Sequence, residues 1–349
     1  MPPRDPFRHN NFDLLRFLFA STVLLVHAEV LSQARALTFI GDWLSSDVAV
    51  KAFFVVSGLL VFMSYDRSRT LAAYAGKRVR RVYPAYVTVV VAAAILLFAV
   101  SQASVATYVA GAANYLAANL VFLNYRAPYL PGVFESNPMR EVNGSLWTLK
   151  IEVAFYLAVP VIAWLCARIG RLPVLVSLYV ASVVYAFGCA WMARRTGSVL
   201  YAQLGRQLPG QLSYFLVGTL WYCYFPFFQR HAWRLAAAAA GLTLLQRFLP
   251  LSAVEPLALG TLVTFFGFFL YAGNFGRYGD FSYGIYILHA PVLQTLVHYG
   301  VFTWSPLGAL AIGSAIVLTA AALMWHLVEK QFLARGSHYV AATTEGRRL

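Results

Sequence analysis

Apolar runs recur from one end of this chain to the other, each about 20 residues long, which is what a helix needs to cross a hydrocarbon core of roughly 30 Å. That recurrence leaves little choice of architecture. With 60% hydrophobic and only 11% charged residues, where soluble domains carry roughly a quarter charged, lipid is the expected solvent. Breakers between the runs delimit about ten predicted transmembrane helices, at 12–31, 43–65, 83–100, 145–167, 172–192, 211–228, 233–249, 256–273, 282–301 and 306–328. The connector 101–144 reads in two halves. Through Leu123 its composition suits an interfacial or re-entrant helix, and beyond that Pro128, Pro131, Gly132, Asn137 and Pro138 predict a loop. The expectation is one all-α polytopic membrane bundle over residues 1–349, with no second, soluble domain.

The net charge of +14 could serve nucleic acid, but its distribution points to topology. Basic residues cluster in short segments between apolar runs, as in cytoplasmic loops, and no basic domain or nucleic-acid recognition motif accompanies them. With the N-terminus placed inside, 17 of the 27 Lys and Arg residues fall on the cytoplasmic side and seven on the other. Both termini are therefore expected in the cytoplasm. Cys166, Cys189 and Cys223 lie within apolar runs, an odd count without CxxC spacing, so neither disulfides nor a zinc site is expected. The first run carries Arg16 and His27 and no small-residue cleavage site, unlike a cleavable signal.

Ionisable groups inside a span cost at least about 2.5 kcal/mol each and face a partner, cavity or pathway. In the first run Asp13, Arg16 and His27 share a stripe, the last two about 16 Å apart along the axis. A snorkelling arginine with an interfacial histidine accounts for this as well as a functional face does. Asp47 and Lys51 are spaced to pair, and Phe53 to Gly58 (FFVVSG) places a serine and a glycine where a backbone or ligand could approach. The segment 65–83, read as a basic loop, holds Arg78 and Arg81. Such arginines suit the phosphates of a nucleotide-like donor or equally an anionic lipid surface. Glu152 sits in SLWTLKIEVAFY, about two turns into the fourth run. In FSYGIYILHAP, Tyr283, Tyr286 and His289 recur every three residues, a pattern commoner in packing and interfacial anchoring than in catalysis. His326 and Glu329 are spaced as an i, i+3 pair.

Taken in order, NNFDLLRFL with the Arg16–His27 spacing, FFVVSG, Arg78-x-x-Arg81, SLWTLKIEVAFY and FSYGIYILHAP resemble the acyltransferase type 3 family of membrane O-acyltransferases of bacterial carbohydrates. The resemblance covers essentially the whole chain. It implies ten helices, an acyl-coenzyme A donor (acetyl-CoA first) on the cytoplasmic side and a saccharide acceptor presented from the other. Residue by residue, Arg16, Arg78 and Arg81 match the donor-binding positions, His27 the catalytic histidine and Glu152 the glutamate of a tryptophan-to-glutamate motif. Gln331 stands where relatives often have proline. No segment resembles the extra helix and SGNH-type hydrolase-like domain of some members, so the membrane domain itself is expected to engage the acceptor. His27 would act as general base or transient acyl carrier, Glu152 would orient or balance it, and no metal is required. The competing class is a proton-coupled transporter or flippase of a lipid-linked saccharide. Against it stands the lack of an inverted repeat or paired broken helices.

Overall fold

A computed structural model describes Phe7 and residues 9–246, 248–249 and 252–333. Arg4, Arg8, Arg247, Arg335, Arg347 and Arg348, which enter the orientation argument, lie outside the described residues, as do both termini. Among the described residues the chain is all-helical, without a strand. Its helices are α1 (Phe12–Ser32), α2 (Thr38–Trp43), α3 (Ser46–Asp66), α4 (Leu71–Leu96), α5 (Val105–Asn119), α6 (Trp147–Ile169), α7 (Arg171–Thr196) and α8 (Val199–Gly205). They continue with α9 (Leu208–Cys223), α10 (Phe225–Leu245), α11 (Glu255–Phe268), α12 (Ser282–His298), α13 (Val301–Trp304), α14 (Pro306–Met324) and α15 (Lys330–Phe332).

Each of the ten apolar runs overlaps a helix, although 211–228 runs across the break between α9 and α10, and among the described residues six helical stretches are long and apolar enough to cross a membrane: Phe12–Ser32, Ser46–Asp66, Leu71–Val100, Gly144–Ile169, Arg171–Thr196 and Pro306–Phe332. The others fall short for physical reasons. Helices α9, α11 and α12 have 16, 14 and 17 residues, hence about 21–26 Å at 1.5 Å per residue. Helix α10 is longer, but Arg230, His231 and Arg234 lower its hydropathy. On α7, Val176, Val180, Val184 and Phe187 are each about half exposed along one stripe, a face suited to lipid rather than water.

One expectation is corrected here. The segment 65–83 is not a loop throughout, because α4 begins at Leu71. Ala, Leu, Lys and Arg are all strong helix formers. Apolarity marked where the helix becomes buriable, not where it starts. Pro84 lies within α4.

Two compact units emerge: Met1–Leu15, Val50–Ala75 and Ile151–Asn274 form the first, and Arg16–Ala49, Gly76–Lys150 and Phe275–Leu349 the second. In the first, the glycine of FFVVSG serves a neighbouring backbone. A Cβ on Gly58 would lie 1.9 Å from the Phe215 carbonyl oxygen, and one on Gly218 2.0 Å from that of Val55, so α3 and α9 touch through reciprocal glycines. Gly58→Ala is expected to destabilise the protein by about 1–3 kcal/mol. Gly188→Ala on α7, where nothing lies within 4 Å, is the control, and equal melting temperatures for the two variants would refute the close-contact account. Asn11 of NNFDLLRFL donates to the Phe266 carbonyl at 2.8 Å and accepts from the Ala272 N–H at 2.9 Å, closing the C-terminal end of α11.

In the second unit α12 packs on α14 at Gly284, whose Cβ would meet the Ala321 Cα at 2.9 Å. The loop before α6 is tied to α12. Buried Gln294 donates to the carbonyls of Met139 and Glu141, both at 2.9 Å. Asn143 donates to the Ile287 carbonyl at 2.8 Å. These bonds fix where Ser145 stands.

Candidate active site

The three-residue spacing on α12 produces a polar ladder within the second unit. Tyr283 donates its hydroxyl to the Val82 carbonyl of α4 at 3.0 Å. Tyr286 and Thr148 share a hydroxyl–hydroxyl bond of 2.7 Å. At the third rung, His289 Nε2 lies 2.8 Å from His27 Nδ1 and 3.0 Å from the Ser145 hydroxyl, while its Nδ1 lies 3.2 Å from the Ile285 carbonyl. His289 and Ser145 are fully buried, whereas His27 is half-buried.

About 16 Å back along α1, Arg16 reaches Asp280, two residues before α12 begins. Its Nη2 lies 3.0 Å from Asp280 Oδ2, and Arg81 of α4 bonds the same oxygen. Arg81 Nη1 also meets Glu329 Oε2 at 3.3 Å. Asp280 Oδ1 accepts from the Ser282 N–H at 3.1 Å, so the carboxylate also takes up the first N–H of α12. Gly279 before it has φ +119°, and a Cβ there would lie 2.2 Å from Trp325 Nε1, so both the backbone angle and the space demand glycine.

Glu329 belongs to a π-helical turn, Trp325–Glu329, which buries its side chain while leaving His326 exposed. The two do not share a face, which corrects the expected His326–Glu329 pair. Arg78 and Arg81 are half-buried on one side of α4, whereas Lys77 and Arg80 point outward.

Glu152 belongs to the first unit, where the Tyr156 hydroxyl donates to it. Lys51, in the same unit, pairs with Glu255 at 2.7 Å.

A family model described as an acyltransferase domain matches residues 9–326. The chain belongs to this acyltransferase family. Among curated relatives, it is 26% identical to nodulation protein 10 of Rhizobium leguminosarum bv. viciae, over 92% of both chains. It is 27% identical to an O-acetyl transferase of Shigella phage Sf6, over 95% of this chain and 98% of the relative. No solved structure matches.

Of the side chains that the family resemblance singles out, the fold brings Arg16 and Arg81 onto one carboxylate and sets Arg78 one turn from Arg81. It places His27 against a second histidine. Sequence reasoning missed Asp280 and Ser145 in this acyltransferase and read His289 as packing. A signal existed for Asp280, since an acid two residues before the serine that opens an apolar run is a helix-start pattern. Ser145 opens the motif SLWTLKIEVAFY, but its contact with His289 depends on tertiary structure.

Proposed function

We propose that this acyltransferase is an O-acyltransferase that crosses the bacterial inner membrane ten times as one domain, with both termini cytoplasmic. In this reading it moves an acyl group, acetyl by analogy with the O-acetyl transferase relative, from cytoplasmic acyl-coenzyme A to a saccharide hydroxyl on the other side. The distribution of basic residues supports the orientation, and the resemblance to carbohydrate-modifying relatives supports the acceptor class.

The observation that carries the reading is the ladder of α12, which joins a guanidinium cluster to a half-buried imidazole along one side of α1. Arg78 and Arg81, with Arg16, receive the donor's phosphates. Guanidinium forks match phosphate oxygens in pairs. The pantetheine arm spans a distance of the order that separates Arg16 from His27, which brings the thioester to the imidazole. His27 then takes the acceptor's hydroxyl proton as the oxygen attacks, or first carries the acyl group itself. Glu152, at the glutamate of the family motif, completes the proposed set of functional side chains.

Titration of the purified protein in nanodiscs with acetyl-coenzyme A tests the donor. Specific binding is expected, weakened about tenfold, or 1.4 kcal/mol, by Arg78→Ala. Absence of specific binding, together with an intact thioester after incubation with exported saccharide, would refute the reading.

A further inference from the structure

The hydrogen-bond directions around His289 decide more than proximity does. A backbone carbonyl only accepts, so the 3.2 Å contact of His289 Nδ1 with the Ile285 oxygen requires the hydrogen on Nδ1. The ring is fully buried, and among the described residues no carboxylate bonds it, so a second proton would leave an uncompensated cation. Nε2 therefore carries a lone pair. Two groups lie near that lone pair, the Ser145 hydroxyl at 3.0 Å and His27 Nδ1 at 2.8 Å, and a ring nitrogen this close to a lone pair meets it only by donating. His27 thus holds its hydrogen on Nδ1.

We propose that His289, aligned by the Ile285 carbonyl and flanked by Ser145, is a positioning residue that fixes His27 in the Nδ1–H tautomer and makes His27 Nε2 the reacting nitrogen. This deepens the acyltransferase reading and rests on it. As the acceptor oxygen bonds to the thioester carbon, Nε2 takes the hydroxyl proton. As the carbon–sulfur bond breaks, the same proton passes to the departing coenzyme A sulfur. Between these steps the imidazolium is held by its Nδ1–H bond to neutral His289, the part a carboxylate plays in serine hydrolases. Ser145 is placed by the Asn143–Ile287 and Gln294 bonds that pin its loop to α12, so the tautomer is set by tertiary contacts three elements deep.

The test combines activity with a spectroscopic readout. Protein labelled with 15N-histidine in lipid, with His27 assigned by difference against His27→Asn, reports which ring nitrogen bears hydrogen. The expected wild-type result is hydrogen on Nδ1 of His27, and hydrogen on Nε2 would overturn the proposal whatever the variants do. His289→Phe is expected to lower kcat about 100-fold with KM for the donor unchanged, and to shift the His27 tautomer signal. His289→Gln, whose amide oxygen can accept in place of Nε2, should recover activity to within about tenfold of wild type. Full activity in His289→Phe with an inactive His27→Ala would overturn the positioning role and leave the acyltransferase reading standing. An active His27→Ala would overturn that reading instead. Should His289→Phe not fold, the wild-type tautomer and the His289→Gln rate still decide.

Discussion

Replacing His27 with alanine is expected to slow acyl transfer about 10²- to 10⁴-fold, the range supplied by a well-placed general base, while leaving acetyl-coenzyme A binding intact. The two observables separate because they draw on different ends of α1. The proposed donor site is the guanidiniums around Asp280, and His27 bonds not to these but to His289, about 16 Å further along the helix. Alanine at 27 removes a half-buried ring and leaves the lone pair of His289 to Ser145 alone, so some loss of stability accompanies the loss of rate. A single-turnover assay with radiolabelled acetyl-coenzyme A, normalised to folded protein, isolates the chemical step. Equal loss of donor binding and of turnover would place His27 in donor recognition.

The second large effect is expected at Asp280. Its carboxylate is 1% exposed and bonded to both Arg16 and Arg81, so Asp280→Ala takes a shared buried carboxylate from two guanidiniums with side-chain exposures of only 17% and 16%. Breaking a buried ion pair by removing one partner costs about 3–5 kcal/mol. The partial exposure of the arginines and the remaining Arg81–Glu329 bond bring the expectation to the lower end, about 3 kcal/mol. Loss of the bond to the Ser282 N–H leaves that donor without its acceptor and adds about 1 kcal/mol. The melting temperature in detergent should fall sharply. Asp280→Asn, which keeps an acceptor but loses the charge, should fall less. If Asp280→Ala melts like wild type, the cluster does not hold α1, α4 and α12 together.

The two sites differ in how far the sequence discloses them. The stripe from Arg16 to His27 is a property of one helix, fixed by 3.6 residues per turn, and it can be read without neighbours. So can the Arg78–Arg81 spacing, although the segment reads as a loop because charge masks helix propensity. His289 is different. Tyr283, Tyr286 and His289 at three-residue spacing suit interfacial packing equally well, and only the Val82, Thr148 and His27 partners turn the stripe into a ladder. The His326–Glu329 pair fails because a π-helical turn rotates Glu329 inward, and helical-wheel spacing assumes a regular helix.

Length and apolarity along the chain determined an all-helical membrane protein, because hydrocarbon leaves backbone groups no partner outside the segment itself. Local spacing determined which ionisable groups share a face. The tertiary structure decided which carboxylate holds the arginines, which ring bonds His27 and through which nitrogen. Those partners lie 199 to 264 residues apart in sequence for the Arg81–Asp280, His27–His289 and Arg16–Asp280 pairs, and the direction of a hydrogen bond between two rings depends on a third group that only folding brings beside them.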